Sequence, residues 1–166
     1  MDLNRILNLR SFDYEDTIYD VVLDEKNKLL EQTDNLAGFC KYIASSIDER
    51  LRELGIRTYY IDLNSIGVDH VFLICEYRNQ DMVRFLIDPT IEQFTRRNNK
   101  TLFGLKKWPS DLMYEDVLEN LLITGMVKID RDILNNYLSS FGSTEIITNL
   151  DDYLLKIRMN KLGKSK

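Results

Sequence analysis

Apolar residues recur at helical spacing from Ala37 to Leu54, at Phe39, Cys40, Ile43, Ala44, Ile47, Leu51 and Leu54. That pattern predicts an amphipathic helix, with Gly55 as its stop and Thr33, Asp34 and Asn35 as candidate N-caps. Asp48, Glu49, Arg50, Arg52 and Glu53 fall on the other side, as a solvated face. An earlier helix is expected through Asp13-Tyr14-Glu15, capped by Ser11, with Ile18, Val21, Val22, Leu29 and Leu30 turned inward. Its acids come early and Lys26 and Lys28 late, which suits the helix dipole. Leu3, Ile6 and Leu7 suggest a helical turn before it.

The pattern then changes from helical spacing to continuous runs. Arg57 to Leu63 reads as a strand. Asp69 to Tyr77 and Val83 to Ile87 are rich in β-branched, aliphatic and aromatic residues, and only Arg78-Asn79-Gln80 breaks them, which reads as a β-hairpin. Centred on Asn79, the hairpin places His70 opposite Asp88, Phe72 opposite Leu86 and Ile74 opposite Arg84. Opposed side chains share a face with Cβ atoms about 4.5–5.5 Å apart. A slip of one residue would put His70 and Asp88 on opposite faces. Cys75 has the other parity and points away from them.

Helices return in the last third. Thr95-Arg96-Arg97-Asn98-Asn99-Lys100 is a basic surface loop, with contact to an acidic partner as the less favoured reading. Trp108-Pro109-Ser110-Asp111 leads into a helix carrying Met113, Val117, Leu118, Leu121 and Leu122, capped by Ser110 or Asp111 and ended near Gly125; Trp108 packs rather than binds ligand. Asp130 caps the next helix, with Ile133, Leu134, Tyr137 and Leu138 inward and Gly142 as its stop. Asp151 to Leu162 is a final amphipathic helix using Leu154, Leu155, Ile157 and Met159, and residues 163–166 are a frayed basic tail. No repeat or linker divides the chain, so residues 1–166 are expected to form one α+β domain, its N-terminal helices packed on an antiparallel sheet.

Composition narrows the function. A chain of 166 residues, 44% hydrophobic and 30% charged, is an ordinary globule. Its net charge of −5 argues against nonspecific nucleic-acid binding as the main task. No apolar run is long enough to span a bilayer, and Met1-Asp2-Leu3-Asn4-Arg5 lacks the features of a signal peptide. Residence in the cytoplasm without membrane association follows, with leaderless export as an effector the alternative. Two cysteines in such a chain read as free thiols. A single histidine and scattered glycines give neither a metal site nor a phosphate loop, so no metal and no cofactor are expected.

What remains is a possible nucleophile, base and orienting carboxylate. Cys40 sits in or near a first helical turn, where unpaired N–H groups and the dipole favour an anion. His70 and Asp88 are placed to hydrogen-bond across the hairpin. Core packing of Cys40 is the competing explanation, because cysteine is often buried as a small hydrophobe. The two together suit nucleophilic cysteine chemistry better than either alone, since His70 is the chain's only histidine.

A cysteine at a helix start, a histidine opening a strand, and Asp88-Pro89-Thr90 closing the next resemble the core of the transglutaminase-like and papain-like cysteine enzymes. The resemblance covers roughly residues 35–94, and the Asp-Pro-Thr step is its most specific part. The continuation Ile91-Glu92-Gln93-Phe94 and the small size resemble bacterial effector members, which include proteases and protein-glutamine deamidases. The resemblance implies a papain-like fold, a peptide or protein substrate, and catalytic roles for Cys40 as nucleophile, His70 as proton carrier and Asp88 as its orienting partner. It departs at two places. Phe72 stands where transglutaminases usually have tryptophan, and Asp34 where papain-type proteases place an oxyanion-hole glutamine; Asn35 and Gln32 are the nearby candidates for that role. Proteolysis and deamidation are favoured over cross-linking. A binding module that keeps the fold without the chemistry is the other class, and an interaction protein built on the C-terminal helices a third. Oligomeric state is not legible in the sequence.

Overall fold

The computed structural model describes residues 13–33, 38–95 and 107–164. The expected helical turn at Leu3–Leu7, the Ser11 cap, Asp34, Asn35 and the basic stretch 96–100 lie outside these residues. Within them the chain is mixed α+β, with six α-helices and one four-stranded antiparallel sheet. Helix α1 is Tyr14–Gln32 and α2 is Cys40–Glu53. Strands β1 (Arg57–Asp62), β2 (Val71–Asn79) and β3 (Asp81–Ile87) follow. Then come α3 (Pro109–Leu112), α4 (Glu115–Thr124), β4 (Met126–Lys128), α5 (Arg131–Ser140) and α6 (Leu150–Lys164). Strand order in space is β1-β2-β3-β4.

The sheet lies between two helical layers, which is why the central strand β2 is apolar on both faces. Val71, Leu73 and Cys75 pack with Ile43, Ile47 and Leu51 of α2 and with Ile18, Val22 and Leu29 of α1. Phe72 and Ile74 turn the other way, onto Val117 and Leu121 of α4, Leu134 and Tyr137 of α5, and Leu154 of α6. Cys75 thus has the expected parity.

Several local expectations are corrected. The hairpin turns at Gln80, whose φ of 64° is left-handed, so Ile74 rather than Phe72 faces Leu86. The register is two residues from the expected one. Asp13, not Ser11, caps α1 and accepts from the Asp16 N–H at 3.2 Å, and Leu30 is exposed. Thr33 closes α1 instead of opening α2, whose N-cap is Phe39 with no side-chain cap bond. Asp48 is buried, because it takes hydrogen bonds from Thr58 of β1 and pairs with Arg52 at 3.1 Å. The helix expected to start at Ser110 or Asp111 is two helices, with N-caps Trp108 and Tyr114. Strand β4 was not foreseen, and Leu155 and Met159 of α6 are exposed. Asp130 does cap α5, accepting from the Ile133 N–H at 2.8 Å.

Candidate functional site

The site forms at one end of the sheet, where three elements begin or stop. Cys40 is the first residue of α2, His70 directly precedes β2, and Asp88 directly follows β3. Backbone bonds hold the last two in place. The His70 carbonyl accepts from the Leu63 N–H at 2.9 Å, and the Asp88 N–H donates to the Gly125 carbonyl at 2.9 Å. His70 Nε2 and Asp88 Oδ2 are 2.7 Å apart. Cys40 lies close enough to His70 to help raise the pKa of the imidazole. Cys40 packs on the α1/α2 side of the sheet and His70 on the other. They meet because each stands at the limit of its element, beyond the end of the β-ladder.

Residues assigned no role at the site from the sequence alone complete the arrangement. Tyr137 of α5 donates its hydroxyl to Asp88 Oδ2, and the Thr90 hydroxyl donates to Asp88 Oδ1 at 3.4 Å. The Gln93 amide nitrogen donates to the Thr90 hydroxyl at 3.1 Å and lies 3.4 Å from His70 Nδ1. The imidazole is enclosed by rings: Phe94 edge-on at 4.6 Å, Phe141 stacked at 5.6 Å and Phe72 at 6.5 Å between centroids. Tyr137 and Phe141 lie some fifty residues beyond Asp88 in the chain, and no local spacing signals them. Gln93 had a signal of a kind, lying three residues after Thr90 in the short 3-10 turn Ile91–Phe94.

Electrostatics follow from this enclosure. Burial pulls the His70 imidazole toward its neutral form, but the Asp88 charge and hydrogen bond, reinforced by Cys40, outweigh it and raise the pKa to about 9. Burial and the Asp88 carboxylate hold the Tyr137 phenol well above its usual value, so it stays a donor. Cys75, buried on the far side, is pushed up to about 12. Its thiolate is therefore disfavoured at neutral pH.

Of the other candidates, Gln32 is the exposed last residue of α1, and Asn35 lies outside the described residues. Among the described residues no three His, Cys, Asp or Glu side chains gather as a metal site, and no helix is long and apolar enough to cross a membrane. No protein-family model, curated protein or solved structure matches the chain.

Proposed function

We propose that this chain is a cysteine-dependent hydrolase with a papain-like or transglutaminase-like core, acting on amide bonds of a peptide or protein. The observation that carries the reading is the buried His70–Asp88 pair, 2.7 Å apart, at the end of the sheet where Cys40 opens α2 close enough to act on the imidazole. With Nε2 held by Asp88, the imidazole can present Nδ1 to the sulfur. Cys40 Sγ attacks the carbonyl carbon, and His70 carries the thiol proton to the leaving nitrogen as the C–N bond breaks. Water then cleaves the thioester, returning the thiol and releasing a carboxylate; the outcome is proteolysis or glutamine deamidation. An amine in place of water gives a cross-link. The Cys40 N–H, at the start of α2, and the Gln93 amide are the nearest candidate donors to the oxyanion.

Burial favours a second reading, a binding module without chemistry. His70 has no exposed surface, Asp88 is 1% exposed and Cys40 5%. A substrate carbonyl has to reach that sulfur through a small opening.

Iodoacetamide separates the two. An active Cys40 alkylates well below the ~8.5 of a free thiol, and much faster than Cys75. Wild type then leaves deamidated glutamines, new termini or cross-links in a protein extract, read by mass spectrometry, and Cys40→Ala leaves none. Equal, slow labelling of both cysteines with no product overturns the enzymatic reading.

A further inference from the structure

Strand β1 is an edge of the sheet among the described residues, and it ends beside the site. Its register pairs Asp62 with Val71 and Tyr60 with Leu73 of β2. The Leu63 N–H bonds the His70 carbonyl, so the bonded positions alternate back through Ile61 and Tyr59. The N–H and C=O groups of Thr58, Tyr60 and Asp62 therefore point outward, away from β2. A cavity of about 730 Å³ runs along this edge between α2 and α6. Ser45, Tyr60 and Asp62 line it together with Glu145, Tyr153 and Lys156. The register links it to the site: Asp62 in its lining pairs with Val71, the residue after His70, and Ser45 lies on α2, the helix that Cys40 opens.

We propose that the β1 edge is the substrate-binding strand, and that an extended polypeptide carrying an arginine or lysine adds to it, delivering its amide to Cys40 past Asp62. Strand addition supplies the affinity through main-chain hydrogen bonds, and side chains alternate between the α2 and α6 walls. The preference for a cation comes from the lining. Asp48, which also borders the cavity, is occupied by Thr58 and Arg52. Asp62 accepts only from the neutral Asn64, through its backbone N–H at 2.9 Å and its amide at 3.4 Å, so its charge is not paired by a cation among the described residues; with Glu145 it outnumbers Lys156 in the lining. The substrate class rests on the enzymatic reading above, but the binding geometry can be measured without turnover.

Cys40→Ala protein is titrated with a fluorescein-labelled, alanine-based hexapeptide amide carrying two arginines, followed by polarisation and by backbone amide exchange. Binding is expected, with exchange of the Tyr60 and Asp62 amides slowed. N-methylating the peptide backbone weakens binding about tenfold by removing ladder bonds. Replacing both arginines by glutamate, or Asp62→Asn in the protein, weakens it by about fivefold. Absence of binding, or binding that leaves the Tyr60 and Asp62 amides unprotected, overturns the proposal. So does edge protection already complete in the free protein, or a dimer paired through β1 that the peptide does not dissociate. Rapid iodoacetamide labelling of wild-type Cys40 alongside any of these failures leaves the enzymatic reading intact. Peptide binding with an unreactive Cys40 leaves the edge as a binding site and removes the chemistry.

Discussion

Tyr137 donates its hydroxyl to the same Asp88 oxygen, Oδ2, that contacts His70. One buried carboxylate oxygen therefore anchors helix α5 to the imidazole, and the phenol takes part of the charge that would otherwise act on His70 alone. Tyr137→Phe keeps the ring, which packs against Phe72 and Phe141, and removes only the donor. The expected stability loss is about 1–3 kcal/mol, the cost of leaving a buried acceptor short of a partner. Denaturant unfolding measures it, and turnover is expected to fall far less than for Asp88→Asn.

Stability is expected to depend on His70 above neutrality. In the folded protein the imidazole keeps its proton up to about 9, against 6.5 for an unperturbed histidine. Burial opposes the proton, and Asp88 and Cys40 retain it. Because the folded value is the higher one, the contribution is complete below about pH 6.5 and is lost as pH rises through about 9. Its size is on the order of 3 kcal/mol. Urea unfolding across that window should show the decline, and His70→Gln should flatten it. A wild-type slope unchanged by that substitution would show that the proton is not held.

Parity carried the pairing of His70 with Asp88 even though the hairpin register was off by two. An even slip keeps every side chain on its face, so the wrong turn centre still put the two residues on one side. Asn79 is the middle of the polar break Arg78-Asn79-Gln80, but the left-handed residue that makes the turn is Gln80, one position later, and nothing in a glutamine announces that conformation. Strand β4 spans only Met126–Lys128, too short for alternation to register. Asp48 read as solvated from its own helix, but β1 covers it with Thr58, a relation that no periodicity within α2 contains. Tyr137 and Phe141 join the site through tertiary packing for the same reason.

Gln93 is expected to position the imidazole. Its amide lies between the Thr90 hydroxyl and His70 Nδ1, the ring nitrogen left by the Asp88 contact. Gln93→Leu should lower kcat by about 10- to 100-fold while changing stability by less than about 1.5 kcal/mol, since a near-isosteric apolar residue replaces it in an aromatic enclosure. The iodoacetamide rate of Cys40 distinguishes positioning from packing. Positioning shifts its pH profile; a merely structural role lowers the melting temperature and leaves the profile in place.

A charge network away from the site offers a control. Glu76 is buried and accepts from Tyr59 at 2.6 Å and from Arg84 at 2.9 Å, with Arg57 at 3.6 Å. Glu76→Ala leaves Asp151 as the remaining carboxylate partner of the mostly buried Arg84 and the Tyr59 hydroxyl without its acceptor, and is expected to cost about 1–3 kcal/mol. At a temperature where this variant is still folded, Cys40 should alkylate at the wild-type rate. A slowed thiol would mean that the sheet transmits strain from Glu76 to its other end.

Gly125 ties backbone conformation to the carboxylate. Its φ is 78°, and a Cβ there would stand 2.9 Å from Val22 Cγ1 and 3.3 Å from Pro89 Cβ. Its carbonyl accepts the Asp88 N–H at 2.9 Å. Gly125→Ala thus adds left-handed strain of about 1–2 kcal/mol and presses on the proline that follows Asp88. Val22 is β-branched, helical and without exposed surface, so its rotamer has little freedom to change. Relief is therefore expected on the Pro89 side, carrying Asp88 away from His70. The expected result is a modest fall in melting temperature with a larger fall in Cys40 reactivity near neutral pH. Gly125→Ala combined with Val22→Ala clears the 2.9 Å contact. If that double variant recovers reactivity fully, the clash with Val22 rather than displacement through Pro89 is the cause, and the link from Gly125 to the carboxylate is wrong.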